Sequence, residues 1–258
     1  MHLRVVHRTS FVYAGEAKES FNELRPRPAE TEFQRCLAFD LRISPAAETR
    51  DYGDFHGNTV HYFEVPEPHE RLCITAISRV ETVPTGQRPA TPMVSAEQLA
   101  TSPEREMMAE FATDSPYVPL DVELWREAQD ILAGGRGDVW GDVRRLGEHV
   151  HRTFIYQPGS TGVSTRAPDA LRLRAGVCQD FAHVHLGLCR TLGIPARYVS
   201  GYFLNPARRP GENEASHAWI ARGCPAPAGS PTTPPTRASP TTATSRSPSA
   251  ATTPTSAR

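Results

Sequence analysis

Nowhere among its 258 residues does the chain hold an apolar run near the roughly 18 residues that a membrane-spanning helix needs, so no span is expected. The opening MHLRVVHRTSFVY lacks a hydrophobic stretch followed by a small-residue cleavage site, and no signal peptide is expected from it. Neither sign of charge is in excess. A formal net charge of −1 and a pI of about 6.8 argue against a nucleic-acid or membrane surface as partner. Cysteine is scarce and scattered: Cys36, Cys73, Cys178, Cys189 and Cys224 are odd in number and form no C-x-x-C pair. That usage fits free thiols in a reducing cytosol. The sharpest absence is local. From Arg222 to Arg258 there is no Val, Ile, Leu, Met or aromatic residue, and no Asp, Glu or Lys.

What is present divides in two. Residues 1 to about 85 carry β-branched and aromatic residues in partial alternation, in LRVVHRTSFVY, FQRCLAFDLRIS, NTVHYFEV and LCITAISRVETV. Turn formers such as Tyr52-Gly53-Asp54 and His56-Gly57-Asn58 separate them, which predicts an antiparallel sandwich or small barrel. VPTGQRPATP marks a linker at 86–94. From 95 the periodicity turns helical, with starts at Ser95-Ala96-Glu97 and Ser102-Pro103-Glu104 and continuation through 124–132 and 139–154. In 176–192, Phe181, His185, Leu188, Cys189 and Leu192 recur at helical spacing and predict an inward face. Gly193-Ile194-Pro195 ends that helix; 196–203 and 217–220 then read as strands. The fold class expected is α+β, with a β domain at 1–85 and a core at 95–221.

The segment 222–258 cannot bury enough apolar surface to offset chain entropy and is expected to be disordered. A natural Pro/Thr/Ser tail is one reading. The genetic code offers another. Shifting the frame by one base fixes the last two bases of each new codon, and 228–236 is then compatible with W-V-A-Y-D-P-T-N. Likewise, 246–256 becomes compatible with V-A-V-G-R-D-Y-A-D-V. Both strings are ordinary globular sequence, which points to a one-base frameshift near Ile220 to Arg222.

The chemistry sits in Gly176-Val177-Cys178-Gln179-Asp180-Phe181-Ala182 and Ser216-His217-Ala218-Trp219. Thiolate, not thiol, attacks a carbonyl, and a helix start offers unpaired N–H groups and a partial positive charge to stabilise it. Cys178 is placed at such a start; His217 can take a proton and return it to a departing amine. Alone, Cys178 reads as a small buried hydrophobe and His217 as a satisfied core histidine. The joint pattern carries the reading. Asp180 is expected to be solvated or to cap the helix, and Cys189 to be core. A metal on Cys178, His183 and His185 is disfavoured because their spacings do not share one helix face.

These boxes, with Gly193-Ile194-Pro195-Ala196-Arg197-Tyr198-Val199-Ser200-Gly201-Tyr202, resemble the bacterial transglutaminase-like branch of the papain-like thiol enzymes. Phe154-Ile155-Tyr156 and Pro158-Gly159-Ser160-Thr161 resemble the segment leading into that core, and Glu19 to Glu23 with Asp51 to Asn58 its companion β domain. The resemblance implies a Cys-His-Asp triad acting on peptide or isopeptide amides by hydrolysis or acyl transfer, with Cys178 and His217 as catalytic residues. It implies no cofactor, no metal, and a protein or peptide as partner. The family's G-W-x-x-x-D-P-T-N box exists only in the shifted frame. Thr232 and Thr233 stand where its Asp belongs, so impaired activity is expected, with a non-catalytic binding scaffold as the alternative. A third reading keeps the activity, with the tail a true linker and the acid supplied elsewhere.

Overall fold

In the computed structural model, the described residues are 1–31, 33–83, 94–103, 105–203 and 215–222. They fall into two compact units, one built from the residues up to 83 and the other from those between 94 and 222. The expected linker apart from Val94, and the tail beyond Arg222 with Thr232 and Thr233, lie outside the described residues.

The first unit is all antiparallel β: β1 (His2–Ala17), β2 (Ser20–Leu24), β3 (Gln34–Ser44), β4 (Thr49–Gly53), β5 (Thr59–Val65) and β6 (His69–Thr82). They make two three-stranded sheets, β1-β6-β3 and β2-β5-β4. Because side chains alternate along a strand, each sheet turns one apolar face inward. Phe63 and Val65 of β5 thereby meet Leu72 and Ile74 of β6, with Phe11, Leu24, Leu41 and Ile43 closing around them. Of the two architectures expected, the outcome is the sandwich. β3 carries one extra residue, Leu37, between the pairings of Cys36 and Ala38, and that leucine is exposed.

The second unit is organised around one helix. Five other α-helices precede it among the described residues: α1 (Ala96–Ala100), α2 (Arg105–Ala109), α3 (Val122–Ile131), α4 (Val139–Thr153) and α5 (Ala167–Leu173). Asp121 caps α3 by accepting from the Glu123 N–H at 2.7 Å; Asp138 caps α4 by accepting from Trp140 and Gly141. Two short parallel strands, β7 (Ile155–Tyr156) and β8 (Ala175–Gly176), pair Tyr156 with Gly176 and deliver the chain into α6 (Cys178–Thr191). α6 ends where Gly193, at φ 74°, turns the chain so that its N–H donates to Arg190 and the Ile194 N–H to Cys189. β9 (Ala196–Gly201) and β10 (His217–Arg222) follow as an antiparallel pair.

α6 is more enclosed than a one-faced periodicity implies. Ala182, Val184, Leu186, Leu188 and Cys189 are all buried, because α3, α4 and α5 cover one side while Ala196 and Ile220 of the strands cover the other. Helices approach α6 closely where glycine permits it. A Cβ at Gly187 would lie 2.8 Å from Leu124 Cδ1 of α3, and one at Gly147 of α4 would lie 2.5 Å from the His185 ring. α5 was not visible as a period. At seven residues it spans two turns, too few for a repeat to register.

Candidate active site

Cys178 is the first helical residue of α6, preceded by Val177 in extended conformation. The approach to it is set by Asp180. Its Oδ2 accepts from the Val177 N–H at 2.8 Å and from the Thr161 hydroxyl at 2.6 Å. The same oxygen would lie 2.5 Å from any Cβ at position 176, so only glycine fits there. Asp180 does cap the helix, but the expectation of a solvated carboxylate is corrected: it is only 1% exposed. The loop that buries it comes from nineteen residues upstream, and helix periodicity does not show it.

That loop is fastened to the nucleophile's helix at several points. The Gln157 N–H donates to Gly176 O at 2.8 Å, and the Gln179 side-chain amide donates to Val163 O at 3.1 Å. With the Thr161 bond, they hold residues 157–163 against the start of α6. Two buried atoms on successive turns of the helix, Asp180 Oδ1 and His183 Nδ1, have no hydrogen-bond partner among the described residues. Burial, the larger effect, holds the His183 imidazole below its ordinary value against the pull of Asp180.

On the strand side, the Cys178 Sγ lies 3.9 Å from the carbonyl oxygen of Ser216, the residue before His217. Cross-strand pairing puts His217 opposite Gly201 and Ile220 opposite Tyr198. Ile220 and Ala218 face the core with α6, so alternation gives His217 and Trp219 the other face of this ribbon. There Phe203 packs against both, with ring centroids 5.1 Å from His217 and 5.0 Å from Trp219. Gly201 leaves room for the indole: a Cβ would sit 2.6 Å from Trp219. The structure therefore brings the sulfur to the backbone entering β10, while the His217 ring sits in an aromatic group at the strand's first position.

Two phenols flank the start of α6 from opposite sides. Tyr156 packs 6.2 Å from Phe181, and Tyr198 packs 5.3 Å from His183, two residues further along the helix. Burial and then the charge Cys178 can carry raise the Tyr156 hydroxyl. The same two influences, with Asp180 added, push Tyr198 up to about 12. Neither tyrosine's position beside the nucleophile was legible in the sequence, where Tyr198 reads as a strand residue and Tyr156 as part of the segment leading into the core.

The remaining candidates are structural. Cys189 is fully buried, as expected for core, and burial pushes its thiol up to about 12. His185 turns away from Cys178 to bond the Val143 carbonyl at 2.8 Å. No group of three metal-binding side chains occurs among the described residues, and no helix among them is long and apolar enough to cross a membrane.

Comparison with known proteins agrees with this geometry. Residues 3–81 match the bacterial transglutaminase-like N-terminal region, and residues 127–222 match the transglutaminase-like superfamily. The second match ends where the composition changes. An uncharacterized protein of Mycobacterium leprae is 33% identical over 222 residues, covering 84% of this chain and 78% of its own. One from Mycobacterium tuberculosis is 33% identical over 230 residues, covering 84% and 72%. Among solved structures, a candidate cysteine protease of Cytophaga hutchinsonii superposes with a TM-score of 0.65 at 23% identity, over 86% of this chain and 74% of that one. With its sandwich unit, its central helix opening on Cys178 and these matches across its length, the chain belongs to the transglutaminase-like superfamily.

Proposed function

We propose that this chain is a cytosolic thiol enzyme that cleaves or transfers the acyl group of peptide or isopeptide amides through a thioester, and that it works weakly because its triad acid is absent. The observation that carries the reading is the sulfur of Cys178, seated at the start of a buried helix and 3.9 Å from the carbonyl that leads into His217. The Cys178 thiolate adds to the amide carbon, forming a C–S bond and an oxyanion. The carbonyl re-forms, the C–N bond breaks, and His217 gives its proton to the departing amine. Water or a second amine then adds to the thioester carbon, its proton passing to His217, and the C–S bond breaks to release the acid or new amide and return the Cys178 thiolate. The sequence has Thr232 and Thr233 where the acid that would fix the tautomer and ring orientation of His217 belongs.

The second reading is a scaffold that has kept the fold and lost the chemistry, favoured by Thr232 and Thr233 at the acid's position. Iodoacetamide labelling with peptide mapping, alongside a fluorogenic amide assay, separates the two. Mapping matters because hydrogen bonds from Ser10 and Arg8 hold the Cys73 thiol below its ordinary value, making it a competing site. An impaired enzyme labels at Cys178 well ahead of Cys36 near neutral pH. Equal labelling at the two sites supports the scaffold and sinks the enzyme.

A further inference from the structure

The scheme above leaves the two phenols at the start of α6 unused, and Tyr198 is the one placed to act. Tyr198 stands directly opposite Ile220 in the β9–β10 ribbon and shares its face, the one turned to α6. Its ring packs against His183 at 5.3 Å, and His183 is stacked in turn on Tyr117 at 5.8 Å. Aromatic packing thus fixes the ring from behind. The residue is still 39% exposed, so a bound substrate can reach it. Burial, then the charges of Cys178 and Asp180, push the hydroxyl up to about 12, so it carries its proton near neutral pH.

The reaction has need of such a donor. When sulfur adds to the carbonyl, the π pair moves onto oxygen, and that charge is stabilised by preorganised N–H or O–H groups. The backbone N–H of Cys178, in the first turn of α6, can serve as one. The neighbouring side chains are committed or of the wrong kind. The Gln179 amide donates to Val163 O, and Asp180 is an acceptor already bonded to Val177 and Thr161.

We propose that Tyr198 is a further catalytic residue, donating its phenolic hydrogen bond to the acyl oxygen and completing an oxyanion hole with the Cys178 N–H. The assignment rests on the thiol acyl-transfer reading above. Tyr198 keeps its proton throughout: the electron pair returns to re-form the carbonyl, and the proton on the leaving amine comes from His217.

Two reagents distinguish this role from a structural one, used on the whole chain carrying Cys73→Ser. An acetyl-capped peptide aldehyde forms a hemithioacetal, in which the C–S bond forms and the thiol proton ends on the former carbonyl oxygen. Iodoacetamide is attacked at its CH2 with loss of iodide, and no carbonyl oxygen gains charge. In Tyr198→Phe the aldehyde is expected to bind about tenfold or more weakly. Alkylation of Cys178 in that variant should stay within about twofold of the parent. Tyr198→Gln, which restores a donor, should recover part of the aldehyde affinity. Unchanged aldehyde affinity in Tyr198→Phe overturns the proposal. So does a parallel loss toward both reagents, which marks a packing role, or a loss seen in Tyr156→Phe instead. A parent chain that binds no aldehyde and labels Cys178 no faster than Cys36 brings down the enzyme reading itself, and the role of Tyr198 with it.

Discussion

A single carboxylate organises the approach to the nucleophile. Asp180 joins the N-cap amide of α6 to the Thr161 hydroxyl while almost wholly removed from water. Burying a carboxylate is costly unless donors meet it, so the two bonds depend on one another. Asp180→Ala is expected to lower stability by about 2 to 3 kcal/mol and Thr161→Val by about 1 kcal/mol. In a double-mutant cycle read by chemical denaturation, the pair should show a coupling of about 1 kcal/mol. Strict additivity would mean that the loop and the helix start are held by something else. Gly176→Ala tests the same corner sterically, since the new Cβ would fall 2.5 Å from the Asp180 oxygen. It should cost more than about 1 kcal/mol and slow labelling of Cys178 together with it. A stable variant that labels normally would contradict the close fit. Position 180 was readable as a cap, because an acid in the first helical turn has that use. Its burial was not, since the covering loop is distant in sequence.

At the scale of elements, α6 is assembled around groups that helical periodicity treats as ordinary. His185 lies against Gly147 and bonds the Val143 carbonyl, and desolvation pushes it down to about 4 from an ordinary value of 6.5. The consequence for stability has a definite sign. Between pH 6.5 and 4 the unfolded chain takes up a proton there that the folded chain refuses, so acidification through this window should destabilise the fold. The ceiling for this one group is on the order of 3 to 4 kcal/mol. His183, also depressed by burial, adds in the same direction. Glu127 is separable from them: the Arg174 bond holds its carboxyl below 4.5, so its share is lost only under that pH. His185→Gln keeps a donor toward Val143 and should flatten the profile between pH 6.5 and 4 in urea titrations; an unchanged slope would place the acid sensitivity elsewhere. The long elements α3, α4, α6, β1, β3, β5 and β6 follow their sequence patterns closely, because each has enough residues for a period to repeat. β2 and β4, at five residues each, and α5, at seven, were not called as elements. Their partners supply the order: β5 pairs with both short strands, and Ala167, Ala170 and Leu171 of α5 are held by the core.

For the molecule as a whole, the decisive region is the one where the sequence changes character. Family likeness runs to residue 222, β10 closes at Arg222, and the next residues contain nothing that could extend the sheet by burial. The paired boxes around Cys178 and His217 were legible because backbone conformation and side-chain chemistry coincide there. A helix start needs what the glycine and cysteine segment provides, and a strand start follows the proline-ended helix at the expected distance. The flanking tyrosines were not legible, because their position depends on which face of β9 meets α6 and on how β7 pairs with β8. The one-base shift proposed near Ile220 to Arg222 would account for both the composition and the lost acid, and it makes a strong prediction. A single compensating base at those codons should restore W-V-A-Y-D-P-T-N over 228–236, with an Asp in reach of the His217 strand. The restored chain is expected to turn over a fluorogenic amide on the order of 10³- to 10⁴-fold faster, the scale set by a triad acid that fixes its histidine. It should also melt higher, because strands added beyond β10 would cover an edge that has no partner strand among the described residues. Cys178→Ser in the restored chain should abolish the gain in turnover and leave the gain in melting temperature. A restored chain that is more stable yet equally inert would separate the two effects and leave the scaffold as the function.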